Sequence, residues 1–305
     1  ASPIVLMKAV KTPEEMEHMR AAHVRDGVAV TRFIHWLKTN VGKETITEVG
    51  AAGKLETFRA QMDDYLEPSF SSIIAYGPHG AIVHYAPTKE SDVEMKAEGF
   101  CLADTGGQYK EGTTDITRTI ALGKLTEDEK RYYTMVLRGN LALGAAKFVE
   151  GVSGQNLDVL ARGPLWEMGM DYNHGTGHGV GYILGVHEGP QRFHWRTAPG
   201  TNSVPLEEGM IISDEPGLYL EGRFGIRLEN LVLCRKGEKN DYGQFLYLEP
   251  LTMVPFDREA ILPELMTAKE LAWLNAYHQK VWETLSPYLD EEELEWLREM
   301  TAKIQ

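Results

Sequence analysis

Two strand-rich blocks alternate with helical stretches along the 305 residues of this chain, and no linker rich in proline, glycine or serine interrupts them. The first block is predicted over residues 71–120 and the second over residues 180–254, with helices before, between and after them. Elements joined in this way share one core, so the pattern predicts a single α+β domain spanning residues 1–305. Because the chain starts at Ala1 rather than at a methionine, we expect this domain to have been excised from a longer multidomain protein.

The helical stretches begin with recognisable capping signals. Thr12, Pro13 and Glu15 form a predicted capping box ahead of apolar residues spaced three or four positions apart, which is typical of a helix with one buried face. Later helices are predicted over residues 127–148, 156–168, 267–285 and 290–300. The predicted strands of the first block lie at residues 71–76, 81–85, 99–104 and 113–120.

The composition argues against several classes of partner. The chain carries 31 lysines and arginines against 45 aspartates and glutamates, a net charge of −14, whereas nucleic-acid and anionic-membrane surfaces need clustered positive charge. No apolar run approaches the roughly 20 residues of a membrane span. Cys101 and Cys234 are the only cysteines, which excludes a disulfide scaffold or a thiolate zinc site. We therefore expect a cytoplasmic protein whose partners are neither nucleic acids nor membranes.

A short internal echo relates the two blocks. Residues 104–112 recur at residues 214–222 with five matches in nine positions: Asp, Gly, Tyr, Glu and Gly. Each copy lies in a predicted strand–turn–strand, which is compatible with a duplicated half-domain. Chance is the alternative, because the chain has 30 glycines and many acids.

Each block also presents a pair of separated carboxylates. Asp104 and Asp115 lie in a predicted hairpin of the first block, and Glu215 and Glu229 lie in a predicted hairpin of the second. Neighbouring strands are about 4.8 Å apart, so these side chains can converge on one point. Four convergent acids repel one another and are costly to bury. Divalent cations relieve both costs, and carboxylate-rich sites suit magnesium, calcium or manganese.

A glycine-rich segment adds imidazole ligands. His174 and His178 stand four positions apart within residues 173–181, and an imidazole shifts the preference of a carboxylate site toward manganese, cobalt, iron or zinc. Four carboxylates and one imidazole make five side chains, too many for one catalytic zinc, which uses about three protein ligands. They suffice for two ions that share bridging carboxylates about 3.5–4 Å apart.

Seven short motifs extend this pattern over nearly the whole chain. They lie at residues 80–87, 113–119, 174–179, 187–190, 213–217, 225–230 and 248–252. In their order they resemble the pita-bread metallopeptidases, and within that family they resemble the catalytic domain of the cytosolic Xaa-Pro aminopeptidases (aminopeptidases P). The resemblance implies a pita-bread fold, in which a pseudo-twofold antiparallel sheet is covered by helices.

The resemblance implies a specific set of metal ligands. Asp115 and Glu229 would bridge two divalent ions, Asp104 would bind one of them, and His178 with Glu215 would bind the other. A hydroxide bridging the ions would attack the scissile carbonyl, because a bound water has its pKa lowered to about 7. Glu215 would also carry a proton to the leaving nitrogen of proline. Mn²⁺ is the expected metal, with Co²⁺ or Zn²⁺ as alternatives.

Five further residues match positions around the active site of the same family. His84 and His187 resemble residues that line the substrate cleft and hydrogen-bond the peptide. His174 resembles a supporting or oxyanion-stabilising residue. Tyr219 and Arg227 resemble residues beside the metals, and Arg227 would hold a ligand carboxylate through a charge-assisted pair.

Taken singly, these residues have plainer structural explanations. Asp104 could be a turn residue at a strand end, Glu229 could pair with Arg227 along one strand, and His84 could be a hydrogen-bonded core histidine. Five candidate ligands at the spacing of the family argue against one shared structural explanation. The remaining histidines are assigned structural roles: His18, His23, His35, His79, His194 and His278.

The predicted activity is hydrolysis of the bond between an N-terminal residue and a following proline, by a homodimer in the full-length protein. The substrates are peptides with proline at the second position. The alternative is prolidase activity, which acts only on Xaa-Pro dipeptides. Only the closer similarity of the motifs to those of aminopeptidases P favours the aminopeptidase activity over it. A metal-free hydrolase or a binding module without metals would carry substitutions among the five ligands, and all five are retained.

Overall fold

Antiparallel strand ladders form the centre of the molecule, and helices pack against them. The computed structural model describes residues 3–196 and 203–305. Within these residues the expected α+β class is confirmed. The expected domain of residues 1–305 and the second strand-rich block both include positions outside the described part of the chain, namely residues 1–2 and 197–202.

Most predicted helix starts are found at their capping residues. The Thr12 hydroxyl accepts from the Glu15 amide at 3.2 Å, and the Thr12 amide donates to the Glu15 carboxylate at 2.8 Å, so both ends of the expected capping box are formed. The first helix below was not predicted. The described helices are α1 (Pro3–Ala9), α2 (Pro13–Asn40), α3 (Glu48–Arg59), α4 (Glu127–Gly144), α5 (Gly154–Trp166), α6 (Ala268–Leu285) and α7 (Glu291–Met300).

The strands are mostly short, and their named pairings are all antiparallel in the described residues. They are β1 (Tyr65–Pro68), β2 (Ile73–Tyr76), β3 (Phe100–Thr105), β4 (Gly107–Tyr109), β5 (Gly112–Thr113), β6 (Ile116–Ala121), β7 (Lys147–Val149), β8 (Gly177–His178), β9 (Arg192–Phe193), β10 (Ile211–Asp214), β11 (Gly217–Leu220), β12 (Phe224–Arg227), β13 (Asn230–Asn240) and β14 (Gly243–Pro250).

Strand β3 is the central strand of the first ladder, between β2 and β6, and its side chains alternate between the two faces of that ladder. Its Cys101 and Ala103 side chains belong to a buried apolar cluster with residues of α2 and α3. Leu102 lies in a different cluster, beside Ile73 and Tyr85. Because successive side chains of a strand point to opposite faces, Asp104, which follows Ala103, faces away from the helices.

The second half of the molecule, from β7 onward, contains another antiparallel ladder and another strand–turn–strand unit. Strands β10, β13, β14 and β7 pair in that order, and β11 pairs with β12. The echoed segments fall on β3–β4 and on β10–β11, so both copies of the echo are strand–turn–strand in the structure. The Glu229 amide donates to the Thr117 carbonyl at 3.0 Å, which ties the second half to β6 of the first.

One predicted strand is wrong. Residues 81–85 were expected to be extended, but the chain forms a 3₁₀ helix at Gly77–Ala81 followed by a turn. Gly80 packs here against the backbone of Gly225, where a Cβ on Gly225 would lie 1.7 Å from the Gly80 oxygen. The glycines permit this approach, and the contact with β12 overrides the local strand pattern.

Among the described residues, no helix combines the length and the apolar character needed to cross a bilayer.

Candidate metal centre

A cavity of about 350 Å³ lies where the two halves meet. Tyr219 alone of the ten predicted site residues is set behind its wall, bonded to a lining arginine. The other nine line the cavity: His84, Asp104, Asp115, His174, His178, His187, Glu215, Arg227 and Glu229.

Strand ends deliver the five candidate ligands. Asp104 lies in β3, and Asp115 lies between β5 and β6; Glu215 and Glu229 lie just after β10 and β12, and His178 ends β8. The carboxylates do not face each other as simple cross-strand pairs in the first half, because Asp104 pairs with Thr117 across the ladder. Asp104 reaches the cavity from the face of β3 turned away from the helices, and the other three carboxylates reach it from the segments beside the strand ends.

Three of these ligands converge closely. One ligand atom each from Asp115, His178 and Glu229 lies within 4.8 Å of the others. His178 Nε2 is 3.4 Å from Asp115 Oδ2 and 3.5 Å from Glu215 Oε1. Two ligands each about 2.1 Å from one ion lie about 3–3.5 Å apart, so the spacing fits atoms that share a cation.

The ring of His178 is oriented as a metal ligand requires. Its Nδ1 lies 2.9 Å from the Gly179 carbonyl, and a carbonyl only accepts, so Nδ1 carries the proton. Nε2 faces the carboxylates, and once its proton is displaced its lone pair is directed at the position of a shared cation. Such a hydrogen bond on the far nitrogen is the usual way in which a protein sets the tautomer of a metal-binding histidine.

Two buried carboxylate oxygens without hydrogen-bond partners in the described part of the chain also indicate a cation site. Asp104 Oδ1 and Glu229 Oε1 are buried and have no hydrogen-bond partner among the described residues, although their second oxygens accept from Arg227 and Thr117. Buried polar atoms are nearly always partnered. A cation held by these oxygens supplies the missing partner, so the donor set fits divalent metal ions.

The protonation of the cluster reflects crowded negative charge in a buried place. Burial raises the pKa of Asp115 to about 6 and that of Glu215 to about 7, and neighbouring carboxylates act in the same direction. Burial, together with the same neighbours, holds the pKa of Glu229 well above its ordinary value. Burial alone would lower the pKa of His178, but Asp115 and Glu215 raise it to about 9. The carboxylates therefore hold protons that a cation would displace.

Arg227 connects the cluster to a hydrogen-bonded chain. Its guanidinium donates to Asp104 Oδ2 at 2.6 Å, to the Tyr219 hydroxyl at 2.7 Å and to the Thr117 hydroxyl at 3.2 Å. Arg227 therefore contacts a candidate ligand carboxylate, as expected. That carboxylate belongs to Asp104 and not to Glu229. The Glu229 carboxylate instead accepts from the Thr117 hydroxyl at 2.7 Å.

His174 ends this chain and has both nitrogens occupied. Nδ1 lies 2.7 Å from the Gly175 carbonyl and therefore donates, while Nε2 lies 2.9 Å from the Tyr219 hydroxyl. Burial lowers the pKa of His174 to about 4, so the neutral ring accepts at Nε2 from Tyr219. A ring in this state has no free N–H for an oxyanion, which favours the supporting role over the oxyanion role.

The remaining candidates lie at the open side of the cavity. His84 and His187 are exposed lining residues, and the His187 ring lies 4.1 Å from the His178 ring, centre to centre. His194, which the sequence analysis assigned a structural role, also lines the cavity, as does Arg192. The sequence did not indicate that Arg192 and His194 belong to the site, because both residues lie outside the seven motifs.

Two family models match the chain. The model for metallopeptidase family M24 matches residues 17–236, and the model for the C-terminal region of peptidase M24 matches residues 244–304. This chain belongs to metallopeptidase family M24. The resemblance to the pita-bread metallopeptidases, and with it the pita-bread fold, is confirmed.

Named proteins resemble this M24 chain over most of its length. Aminopeptidase P1 of Arabidopsis thaliana is 41% identical over 99% of this chain and 50% of the relative. An X-prolyl aminopeptidase of Caenorhabditis elegans, a cytosolic enzyme with a di-nuclear active site, superposes with a TM-score of 0.94 at 36% identity, over 100% of this chain and 50% of the other. A prolidase of Pyrococcus horikoshii OT3 reaches a TM-score of 0.68 at 28% identity, over 83% and 66%.

The chain spans about half the length of the curated relatives that it matches.

Proposed function

We propose that this M24 chain hydrolyses the peptide bond between an N-terminal residue and a following proline, with two divalent cations in the candidate metal centre. The observation that carries the proposal is the convergence of Asp115, His178 and Glu229 on one point of the cavity. The similarity to proteins named aminopeptidase P over nearly the whole chain supports the reaction and the substrate class.

The ligand assignment follows the resemblance and the contacts. Asp115 and Glu229 would hold both ions, Asp104 would hold one, and His178 with Glu215 would hold the other. Support comes from the unpaired oxygens of Asp104 and Glu229. Mn²⁺ is the proposed metal, with Co²⁺ or Zn²⁺ as alternatives, since a mixed carboxylate and imidazole set accepts all three. Such ions, when bound, polarise a carbonyl and lower the pKa of water to about 7.

The residues of the chain itself position the substrate and move protons. Glu215 would take a proton from water and deliver it to the leaving nitrogen of proline. The exposed imidazoles of His84 and His187 hydrogen-bond the backbone of the peptide. Arg227 and Tyr219 keep Asp104 and His174 in place through the contacts described above.

Prolidase activity is the second candidate, because a prolidase superposes with a TM-score of 0.68. The aminopeptidase reading is favoured by the TM-score of 0.94 and the complete coverage of this chain by the X-prolyl aminopeptidase.

We also propose the wider setting of this domain. Residues 1–305 form one catalytic domain of a longer protein, which the half-length coverage of the relatives supports. A cytoplasmic location is supported by the cytosolic enzyme of Caenorhabditis elegans, and a homodimer of the full-length protein by the family resemblance.

The test compares an Xaa-Pro-Pro tripeptide with an Xaa-Pro dipeptide, with the manganese content measured in the same sample. Cleavage of the tripeptide alone supports the aminopeptidase proposal. Cleavage of the dipeptide alone moves the assignment to prolidase. If neither is cleaved although two ions are bound, the proposal that this chain suffices for activity is wrong.

A further inference from the structure

A buried ion pair lies behind the first half of the metal centre. Arg59, the last residue of α3, donates to both carboxylate oxygens of Asp26 in α2, at 2.8 and 3.3 Å. The arginine is fully buried and Asp26 is 3% exposed. Burying such a pair is costly unless its remaining donors and acceptors are satisfied, so its other contacts indicate what the pair is for.

Those contacts lead to the sequence neighbours of two candidate ligands. Arg59 Nη2 donates to the Thr105 hydroxyl at 3.0 Å, and the Thr114 hydroxyl donates to Asp26 Oδ2 at 2.9 Å. Thr105 follows Asp104, and Thr114 precedes Asp115. One ion pair therefore fixes the residue beside each aspartate of the cavity.

The strand geometry makes this linkage effective. Consecutive side chains of a strand point to opposite faces, so Thr105, held on the helix side of β3, leaves Asp104 directed into the cavity. In the segment between β5 and β6, Thr114 contacts Asp26 while Asp115 lines the cavity. Both threonines are about 1% exposed. A rotation of either backbone segment that moved the carboxylate would break the hydroxyl contact on the other face.

The pair is completed by a tyrosine. The Tyr109 hydroxyl donates to Asp26 Oδ1 at 2.9 Å, so the Asp26 carboxylate accepts from a guanidinium and from two hydroxyls. Burial alone would raise the pKa of Asp26, but Arg59 and the hydroxyl donors lower it below its ordinary value. Asp26 thus stays ionised and keeps its hold on Arg59.

We propose that the Asp26–Arg59 ion pair is a positioning element that directs Asp104 and Asp115 at the metal ions through Thr105 and Thr114. The proposal rests on the proposed function, because it presumes that these aspartates are ligands. Neither Asp26 nor Arg59 lines the cavity, so they act only through their neighbours.

The second half of the centre is held by a different contact. Ser213 Oγ accepts from the His178 amide at 2.9 Å and donates to Glu215 Oε1 at 3.0 Å. Loss of the Asp26–Arg59 contacts should therefore weaken the ion bound by Asp104 more than the ion bound by His178 and Glu215.

The test measures the two manganese affinities of the 305-residue chain by calorimetry, and the exchange coupling of the Mn²⁺ pair by electron paramagnetic resonance. Thr114→Val and Thr105→Val remove single hydroxyls and keep the branched shape, and Asp26→Asn removes the charge. We expect Thr105→Val to weaken the ion held by Asp104 about tenfold or more, and Thr114→Val and Asp26→Asn to weaken both ions, because Asp115 is assigned to both. Each variant should also reduce the coupled signal. Thr114→Ser, which keeps the hydroxyl, should restore both readouts.

Asp257→Asn is the matched control. Asp257 forms another buried ion pair with α2, to Lys38 at 2.7 Å, but it is not bonded to a neighbour of a candidate ligand. Unchanged affinities in both valine variants, or an equal loss in Asp257→Asn, would overturn the positioning role while leaving the proposed function intact. A wild-type chain that binds none of Mn²⁺, Co²⁺ and Zn²⁺ would overturn the proposed function and the positioning role together.

Discussion

The Arg227 guanidinium donates a 2.6 Å hydrogen bond to the Asp104 carboxylate, across 123 positions of sequence. A second nitrogen of the same group donates to the Tyr219 hydroxyl. The planar fork of arginine suits two such acceptors at once, whereas the ammonium of lysine acts as a point charge. One side chain of β12 therefore joins a carboxylate of the first half to an aromatic residue of the second.

Arg227→Lys tests this relationship. The variant keeps the positive charge but cannot contact Asp104 and Tyr219 together, so we expect kcat to fall about 10- to 100-fold. Tyr219→Phe, which removes only the hydroxyl, should fall less, because Asp104 keeps its partner. Steady-state kinetics on the tripeptide measure both, and equal activity in Arg227→Lys and the wild type would contradict the role given to the guanidinium.

Asp115→Asn tests the bridging assignment. The amide removes a negative charge shared by both ions, and we expect kcat to fall by about a thousandfold, which corresponds to several kcal/mol of lost stabilisation. Manganese stoichiometry should fall below two per chain. Asp241→Asn, at an exposed turn between β13 and β14, is the matched control. Full turnover in Asp115→Asn with two ions still bound would refute the assignment.

Metal binding should depend steeply on pH. Without metal, His178 with its pKa near 9 is protonated at pH 7, and Glu215 with its pKa near 7 is about half protonated. A cation must displace these protons, so its affinity should rise as the pH increases from 6 to 9. Calorimetry in buffers of different ionisation enthalpy should show protons released at pH 7 and fewer at pH 9. An affinity that stays flat over this range would contradict the expectation.

Gly225→Ala tests the close approach between the two halves. The added methyl group would lie 1.7 Å from the Gly80 oxygen, and we expect overpacking to lower the free energy of unfolding by about 3 kcal/mol. In Gly53→Ala, at a helical position of α3 with open space around the added Cβ, the same change should raise it by about 0.5–1 kcal/mol. Thermal unfolding compares the two, and a stable Gly225→Ala protein would show that the contact is dispensable.

Local signals made most of the helices after α1 predictable, because the capping residues that start them lie within four residues of the first turn. The capping box at Thr12 and Glu15 is an example. The strand expected at residues 81–85 failed for the opposite reason. Its outcome depends on Gly225, which is distant in sequence and makes the backbone approach that only two glycines allow.

The members of the candidate site could be identified from the sequence, but their partners could not. Arg227 and Glu229 lie two positions apart and look like a local pair, yet Glu229 follows the end of β12 and accepts from Thr117 instead. The pairing of Asp26 with Arg59 could not be predicted from the sequence, because a single acid in α2 and a single base in α3 form no recognisable motif. Their significance comes from packing that brings them behind β3 and the segment before β6.

The division of the candidate ligands between the two halves also sets an order of events during synthesis. A nascent chain that has emerged only as far as β6 carries Asp104 and Asp115, but His178, Glu215 and Glu229 are still to come. The amide of Glu229 must then reach the Thr117 carbonyl before the last carboxylate is in place. The proposed pair of ions therefore cannot be held by its complete ligand set until Glu229 has emerged, 114 residues after Asp115.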